Sequence, residues 1–109
     1  MSRALFLHGP HDARVSAYNL REGNEDETLL DVAAVGLCGS DLHYYKDGGI
    51  GSAKIAQPFV PGHEFGGYLC EDIDELGLKS GTLVAVDPNR GCGVCEYCER
   101  GFANLCPDV

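Results

Sequence analysis

Four cysteines in the last fifth of the sequence constrain its folding more than any other feature. They follow the pattern C-x2-C-x2-C-x7-C and are Cys92, Cys95, Cys98 and Cys106. One short segment therefore supplies four soft ligands, which is enough for a closed tetrahedral zinc site with no open position. Glycines and prolines interleave with the cysteines, so we expect residues 88–107 to form a lobe that folds around a structural zinc ion.

Other interpretations of this cysteine segment are open. Six cysteines in 109 residues would suit a disulfide scaffold in an exported chain. However, the only apolar run near Met1 is Ala4 to Leu7, too short for a signal-peptide core or a membrane span, so we expect a cytoplasmic protein with reduced thiols. A thioredoxin-type motif is weaker because no βαβ pattern precedes it.

An iron–sulfur cluster is the strongest rival to zinc. Pro107 follows Cys106, which echoes the Cys-Pro ending of the bacterial ferredoxin pattern. The last spacing argues against a cluster, because seven residues precede the final cysteine here and ferredoxins place about three there.

Composition limits the partners and the architecture. Seventeen Asp and Glu against eight Lys and Arg give a formal charge of −9, which disfavours a nucleic-acid partner. A chain of 109 residues buries only a thin core. Fifteen glycines and five prolines indicate many turns, and so short strands more than long helices.

Apolar patterning places the elements of this mainly β chain. It predicts an N-terminal hairpin, an exposed acidic loop, one buried strand, two further strands that enclose a polar stretch, and no regular structure after Asp87. The hairpin strands are 3–8 and 13–20, the acidic loop is 22–27, the buried strand is 28–37, and the two further strands are 65–71 and 82–86. Ser40 is the predicted cap of the only helix, which ends at Gly48 and Gly49. Cys70 lies in a strand pattern, so we expect it to be buried in the core.

A second group of potential ligands lies upstream of the lobe. It comprises Cys38, Ser40, His43, His63 and Glu64. Taken singly, the cysteine could be a small buried hydrophobe and each histidine an ordinary surface or core residue. Neighbouring glycines allow the backbone to approach a common centre. His63 and Glu64 would point to opposite faces of an extended chain, so both can bind one ion only at a turn.

Together, three motifs resemble those of the zinc-dependent medium-chain alcohol dehydrogenases. They are V-G-L-C-G-S-D-L-H over 35–43, P-G-H-E over 61–64, and C-G-V-C-E-Y-C over 92–98 followed by Gly101 and Cys106. The residues His43-Tyr44-Tyr45, Gly51 and 55–64 are most similar to the polyol and sugar-acid branch, sorbitol and especially L-idonate 5-dehydrogenases. This resemblance covers nearly the whole chain. It implies a GroES-like, partly open β-barrel with a short helix and a zinc-binding cysteine lobe.

The resemblance also implies two zinc ions. Cys38 and His63 would hold a catalytic ion, with Glu64 as a direct or exchanging third ligand. The four cysteines of the lobe would hold a structural ion.

Other roles follow from the same resemblance. Ser40 and His43 match the hydroxyl and the histidine of the family's proton relay. Asp41 matches the carboxylate that orients the zinc-bound imidazole, and Tyr44 would face the substrate.

The implied activity is NAD- or NADP-dependent oxidation of a polyol or sugar acid by a homodimer or homotetramer, with no membrane or nucleic-acid partner. Members of the family continue into a Rossmann domain, whereas Gly49-Ile50-Gly51 lacks the third glycine of a dinucleotide fingerprint and is interpreted as a loop. We therefore expect residues 1–109 to be the N-terminal catalytic-domain portion of a longer enzyme, inactive by itself. The alternative is a non-enzymatic zinc-stabilised binding module or an iron–sulfur electron carrier.

Overall fold

The computed structural model describes residues 2–109, which form seven short strands in three antiparallel sheets, together with two helices. The elements in chain order are β1 (Ser2–Gly9), β2 (Asp12–Tyr18), β3 (Leu30–Gly36), α1 (Gly39–Asp47), β4 (Gly49–Ile50), β5 (Ala53–Lys54), β6 (Glu64–Leu69), β7 (Leu83–Ala85) and α2 (Glu96–Glu99). Two 3-10 turns lie at Asp74–Leu76 and Ala103–Leu105. The open sheets confirm the prediction of a mainly β, partly open architecture.

The N-terminal hairpin forms as predicted and anchors a distant loop. Strands β1 and β2 pair across a turn at Pro10 and His11. Leu7 also exchanges two backbone hydrogen bonds with Phe59, with N···O distances of 2.9 and 3.2 Å. Leu7 is only 3% exposed. The hairpin therefore fixes the segment that leads to His63.

The three-stranded sheet brings two candidate ligands together. Its strand order is β3-β6-β7, and Gly36 pairs with Glu64 across the β3–β6 ladder. Cys38 follows β3 by two residues. The prediction that this strand delivers Cys38 to its end is confirmed, and strand pairing alone places the cysteine beside the start of β6.

The core is as thin as the chain length predicts, and two expectations of burial are wrong. Strand β3 is exposed, with Val32 at 51% and Val35 at 52%, because it is an edge strand whose faces the described residues leave largely uncovered. Cys70 is exposed because β6 ends one residue before it. The buried apolar residues are Leu7, Leu69 and Cys106.

Helix α1 begins earlier than the sequence predicts. Cys38, not Ser40, is the N-cap residue. The reason is Asp41, whose carboxylate reaches back and accepts the backbone N–H of Cys38 at 3.0 Å, as an acidic residue at the third helical position often does. The predicted end is confirmed at Gly48, which has a left-handed φ of 72° and donates its N–H to the carbonyl of Tyr44.

The remaining segments agree only in part with the elements predicted from the sequence. The acidic stretch 22–27 is a largely exposed loop, tied by an Arg21–Glu27 ion pair. Residues 49–54 form a tight β4–β5 hairpin instead of a plain loop, because two short segments pair across Gly51. After Asp87, helix α2 and a 3-10 turn appear where no regular structure was predicted. Between residues 2 and 109, no helix has the length and apolar character needed to cross a membrane.

Candidate metal centres

The four lobe cysteines converge on one point. Their sulfur atoms all lie within 4.8 Å of one another, and all six cysteines of the chain are free thiols. The backbone N–H of Cys95 donates to the Cys92 sulfur at 3.3 Å, and that of Cys98 donates to the Cys95 sulfur at 3.4 Å. Such hydrogen bonds favour the ionised thiolate, which is the form that binds a metal.

The ionisation of these thiols shows why they need a cation. Hydrogen bonds from the backbone N–H groups of Val94 and Cys95 lower the pKa of Cys92 to about 7. A backbone hydrogen bond from Gly93 also lowers the pKa of Cys98, but burial and the neighbouring thiols outweigh it and raise this pKa to about 11. Negative charges on neighbouring sulfur atoms repel one another, and a bound cation would offset this repulsion. A closed all-sulfur set therefore fits a structural zinc ion.

Gly91 allows the lobe to close, although the sequence alone did not single it out. A Cβ atom at this position would lie 2.5 Å from the Cys98 sulfur and 3.2 Å from the Cβ of Ala103. The sulfur can reach the cluster only if residue 91 has no side chain.

We predict that Gly91→Ala weakens zinc binding by the lobe by at least about 10-fold, because the added methyl group displaces the Cys98 sulfur. Competition with a chromogenic chelator measures this affinity. Gly9→Ala is the matched control, since a Cβ at Gly9 meets no heavy atom within 4 Å. Equal affinities for the two variants would show that Gly91 does not shape the site.

The second donor set forms at the junction of β3, α1 and β6. Ligand atoms of Cys38, His63 and Glu64 all lie within 4.8 Å of one another. Gly62 has a φ of 102°, which breaks the extended alternation just before His63. His63 lies just before β6, and its ligand atom and that of Glu64 reach one centre although the two residues are adjacent. One sulfur, one imidazole and one carboxylate are the donor types of a catalytic zinc site, with a fourth position left for substrate.

Asp41 makes two backbone contacts. It is 6% exposed, and its two carboxylate oxygens accept backbone N–H groups, from Cys38 at 3.0 Å and from Gly62 at 3.3 Å. Its role in orienting the His63 imidazole stays a prediction. The link from Asp41 to Gly62 spans 21 residues, so no local pattern could have revealed it.

The proposed relay and substrate residues lie on α1. Ser40 is half-buried in the first turn, and His43 is exposed one turn later, with its Nδ1 3.6 Å from Asp47 Oδ2. Residues three and four apart are neighbours on one helix face, so the three side chains form a row toward solvent. Tyr44 is half-buried and packs edge-on against Phe59, with ring centroids 5.3 Å apart.

Comparison with known proteins identifies the family of the chain. Residues 24–109 match the alcohol dehydrogenase GroES-like domain. The chain therefore belongs to the alcohol dehydrogenase GroES-like domain family, as part of the zinc-dependent medium-chain alcohol dehydrogenases. Its sequence relatives include sorbitol dehydrogenases.

Two sequence relatives and one solved structure show the extent of the similarity. Sorbitol dehydrogenase of Bacillus subtilis is 42% identical over 110 residues, covering 98% of this chain and 31% of the relative. Sorbitol dehydrogenase of Homo sapiens is 37% identical over 111 residues, covering 97% and 30%. The crystal structure of L-idonate 5-dehydrogenase from Escherichia coli superposes with a TM-score of 0.86 at 33% identity, covering 97% of this chain and 30% of that one. The chain thus spans about 30% of the length of these relatives.

Proposed function

We propose that this chain is the zinc-binding part of a dehydrogenase that oxidises a secondary alcohol of a polyol or sugar acid with NAD or NADP. The observation that carries the proposal is the convergence of Cys38, His63 and Glu64 within 4.8 Å. A binding module that uses zinc only for stability needs the four-cysteine set and has no use for this second, open one.

The proposal assigns one metal to each donor set. Residues 1–109 act as a GroES-like catalytic-domain portion, and residues 88–107 within it form the structural zinc lobe. Cys38, His63 and Glu64 hold the catalytic zinc, and the four lobe cysteines hold the structural one. The free thiols that both sets require favour a reducing compartment, so the proposal places the protein in the cytoplasm.

The residues of α1 supply the proton chemistry. Cys38, His63 and Glu64 would hold a zinc ion, which would supply Lewis acidity toward the alcohol oxygen and so favour hydride transfer to a nicotinamide. Ser40 accepts the hydroxyl proton of the alcohol as it donates its own hydroxyl proton toward His43, which releases a proton to solvent from its exposed position one turn further on. Tyr44 packs on Phe59 and presents its half-buried ring to the substrate.

The substrate class rests on the relatives. The sequence relatives are sorbitol dehydrogenases, and the superposed structure is an L-idonate 5-dehydrogenase. A polyol and a sugar acid share a chain of secondary hydroxyl groups, so the proposed substrate class covers both, with L-idonate as the sugar acid that the superposed structure suggests. The proposal includes a homodimer or homotetramer as the working form of the enzyme.

A chimera tests this proposal directly. The 109 residues replace the matched segment of the Bacillus subtilis sorbitol dehydrogenase, and NAD- and NADP-dependent oxidation of sorbitol and L-idonate is measured. We expect the chimera to oxidise at least one of the two substrates. A matched chimera with Ser40→Ala should lose activity by about 10²-fold or more, because it lacks the first proton acceptor. A folded, zinc-loaded chimera without activity on either substrate would contradict the proposal.

A further inference from the structure

We infer that Asp41 is a positioning residue that sets the separation of Cys38 and His63 by holding two backbone amides at once. The inference deepens the proposed function and rests on it, because the two residues matter as ligands of one metal. It differs from an imidazole-orienting role, in which the carboxylate would act on the His63 ring itself.

The first step is the geometry of the carboxylate. One oxygen accepts the N–H of Cys38 at 3.0 Å, and the other accepts the N–H of Gly62 at 3.3 Å. Cys38 is itself a candidate ligand, and Gly62 immediately precedes the other ligand, His63. One side chain therefore connects the β3–α1 junction to the loop before β6.

The second step is burial. Asp41 is the buried charged side chain of the described chain, at 6% exposed. It borders a cavity of about 270 Å³ whose other walls are apolar, among them Leu7, Leu37 and Pro61. A carboxylate withdrawn from water beside such walls needs hydrogen bonds in compensation, and the two amides supply them.

The third step is the fixed path of the Gly62 loop. Gly62 has a φ of 102°, and a Cβ there would lie 2.7 Å from Val35 Cγ1. The backbone at this point is thus held between Val35 on one side and the Asp41 carboxylate on the other. When the bond to Asp41 is removed, the loop is free to move away from Cys38.

Asp41→Asn tests the inference with little change of shape. An amide keeps one acceptor oxygen but places an NH₂ group against the second backbone N–H, so one of the two bonds is lost. We expect zinc affinity at the Cys38 site to fall about 10- to 100-fold, while affinity at the four-cysteine site stays unchanged. Chelator competition on the 109-residue chain measures both affinities. Asp26→Asn, in the exposed acidic loop, is the matched control for loss of one charge.

A second measurement distinguishes the binding of two backbone amides by Asp41 from an imidazole-orienting role. In the metal-free chain, amide hydrogen exchange followed by NMR should accelerate about 10-fold or more in Asp41→Asn at whichever of the Cys38 and Gly62 amides loses its bond, because that protecting hydrogen bond is gone. Exchange at the wild-type rate for both amides, with only the His63 ring signals shifted, would overturn the inference. Asp41→Ala should accelerate both amides. If the Asp41→Ala variant fails to fold, the result for Asp41→Asn tests the inference.

The same samples distinguish failure of the inference from failure of the proposed function. If the wild-type chain binds zinc only at the four cysteines, the Cys38 site is not a metal centre and the proposed function falls. Amide exchange still tests the inference about Asp41 in that case. Acceleration in Asp41→Asn supports the inference, and no acceleration overturns it.

Discussion

The Cys106→Ser variant is expected to lose one zinc ion per chain together with the ordered structure of residues 88–107. Cys106 is the buried member of the lobe cluster, at 3% exposed, and its sulfur accepts the backbone N–H groups of Cys92 and Asp108, both at 3.4 Å. Serine does not ionise at neutral pH, so the variant cannot complete the four-thiolate set. Because a structural zinc site contributes on the order of 10 kcal/mol to folding its own segment, the lobe should unfold.

Zinc content by mass spectrometry and amide exchange over residues 88–107 measure this outcome. Cys70→Ser is the matched control, because Cys70 is exposed and lies outside both donor sets. It should retain both metals and a protected lobe. A Cys106→Ser protein with undiminished zinc and an intact lobe would show that the four cysteines do not form a zinc site.

The Cys38→Ser variant is expected to lose the other zinc ion and the activity, but to keep the lobe. Cys38 supplies the only sulfur of the open donor set. In the sorbitol dehydrogenase chimera, we predict a fall in kcat/KM on the order of 10³-fold or more, since the Lewis-acid contribution of several kcal/mol is removed.

Thermal unfolding and metal content distinguish this variant from Cys106→Ser. The lobe of Cys38→Ser should stay protected against amide exchange, because its four sulfur atoms are unchanged. If Cys38→Ser retained both zinc ions and full activity, the Cys38, His63 and Glu64 set would not be the catalytic centre. The chain would then be a zinc-stabilised module.

Features that depend on residues close together in the sequence could be predicted. The four lobe cysteines lie within 15 residues of one another, so their clustering follows from chain connectivity alone. A departure from extended backbone beside His63 follows from the requirement that adjacent residues reach one centre, and Gly62 has a positive φ of 102°. Gly48 ends α1 because a glycine readily adopts the left-handed conformation of a helix terminus.

Features that depend on which contacts form in the folded chain could not be predicted. The apolar pattern of β3 indicates a strand but not what covers it, and its valines are exposed at the edge of a small sheet. Ser40 has the side chain of a typical helix cap, but the reach of Asp41 back to Cys38 moves the cap two residues earlier. The bond from Asp41 to Gly62 and the approach of Gly91 to Cys98 exist only once the chain has folded.

Metal content tests the central claim most directly. The 109-residue chain, purified without chelator or added zinc, is analysed by plasma mass spectrometry together with an absorption spectrum. We predict two zinc ions per colourless chain, or one firmly bound and one at lower occupancy. Iron with acid-labile sulfide and visible absorption would contradict it, because the cysteine lobe would then hold an iron–sulfur cluster and carry electrons.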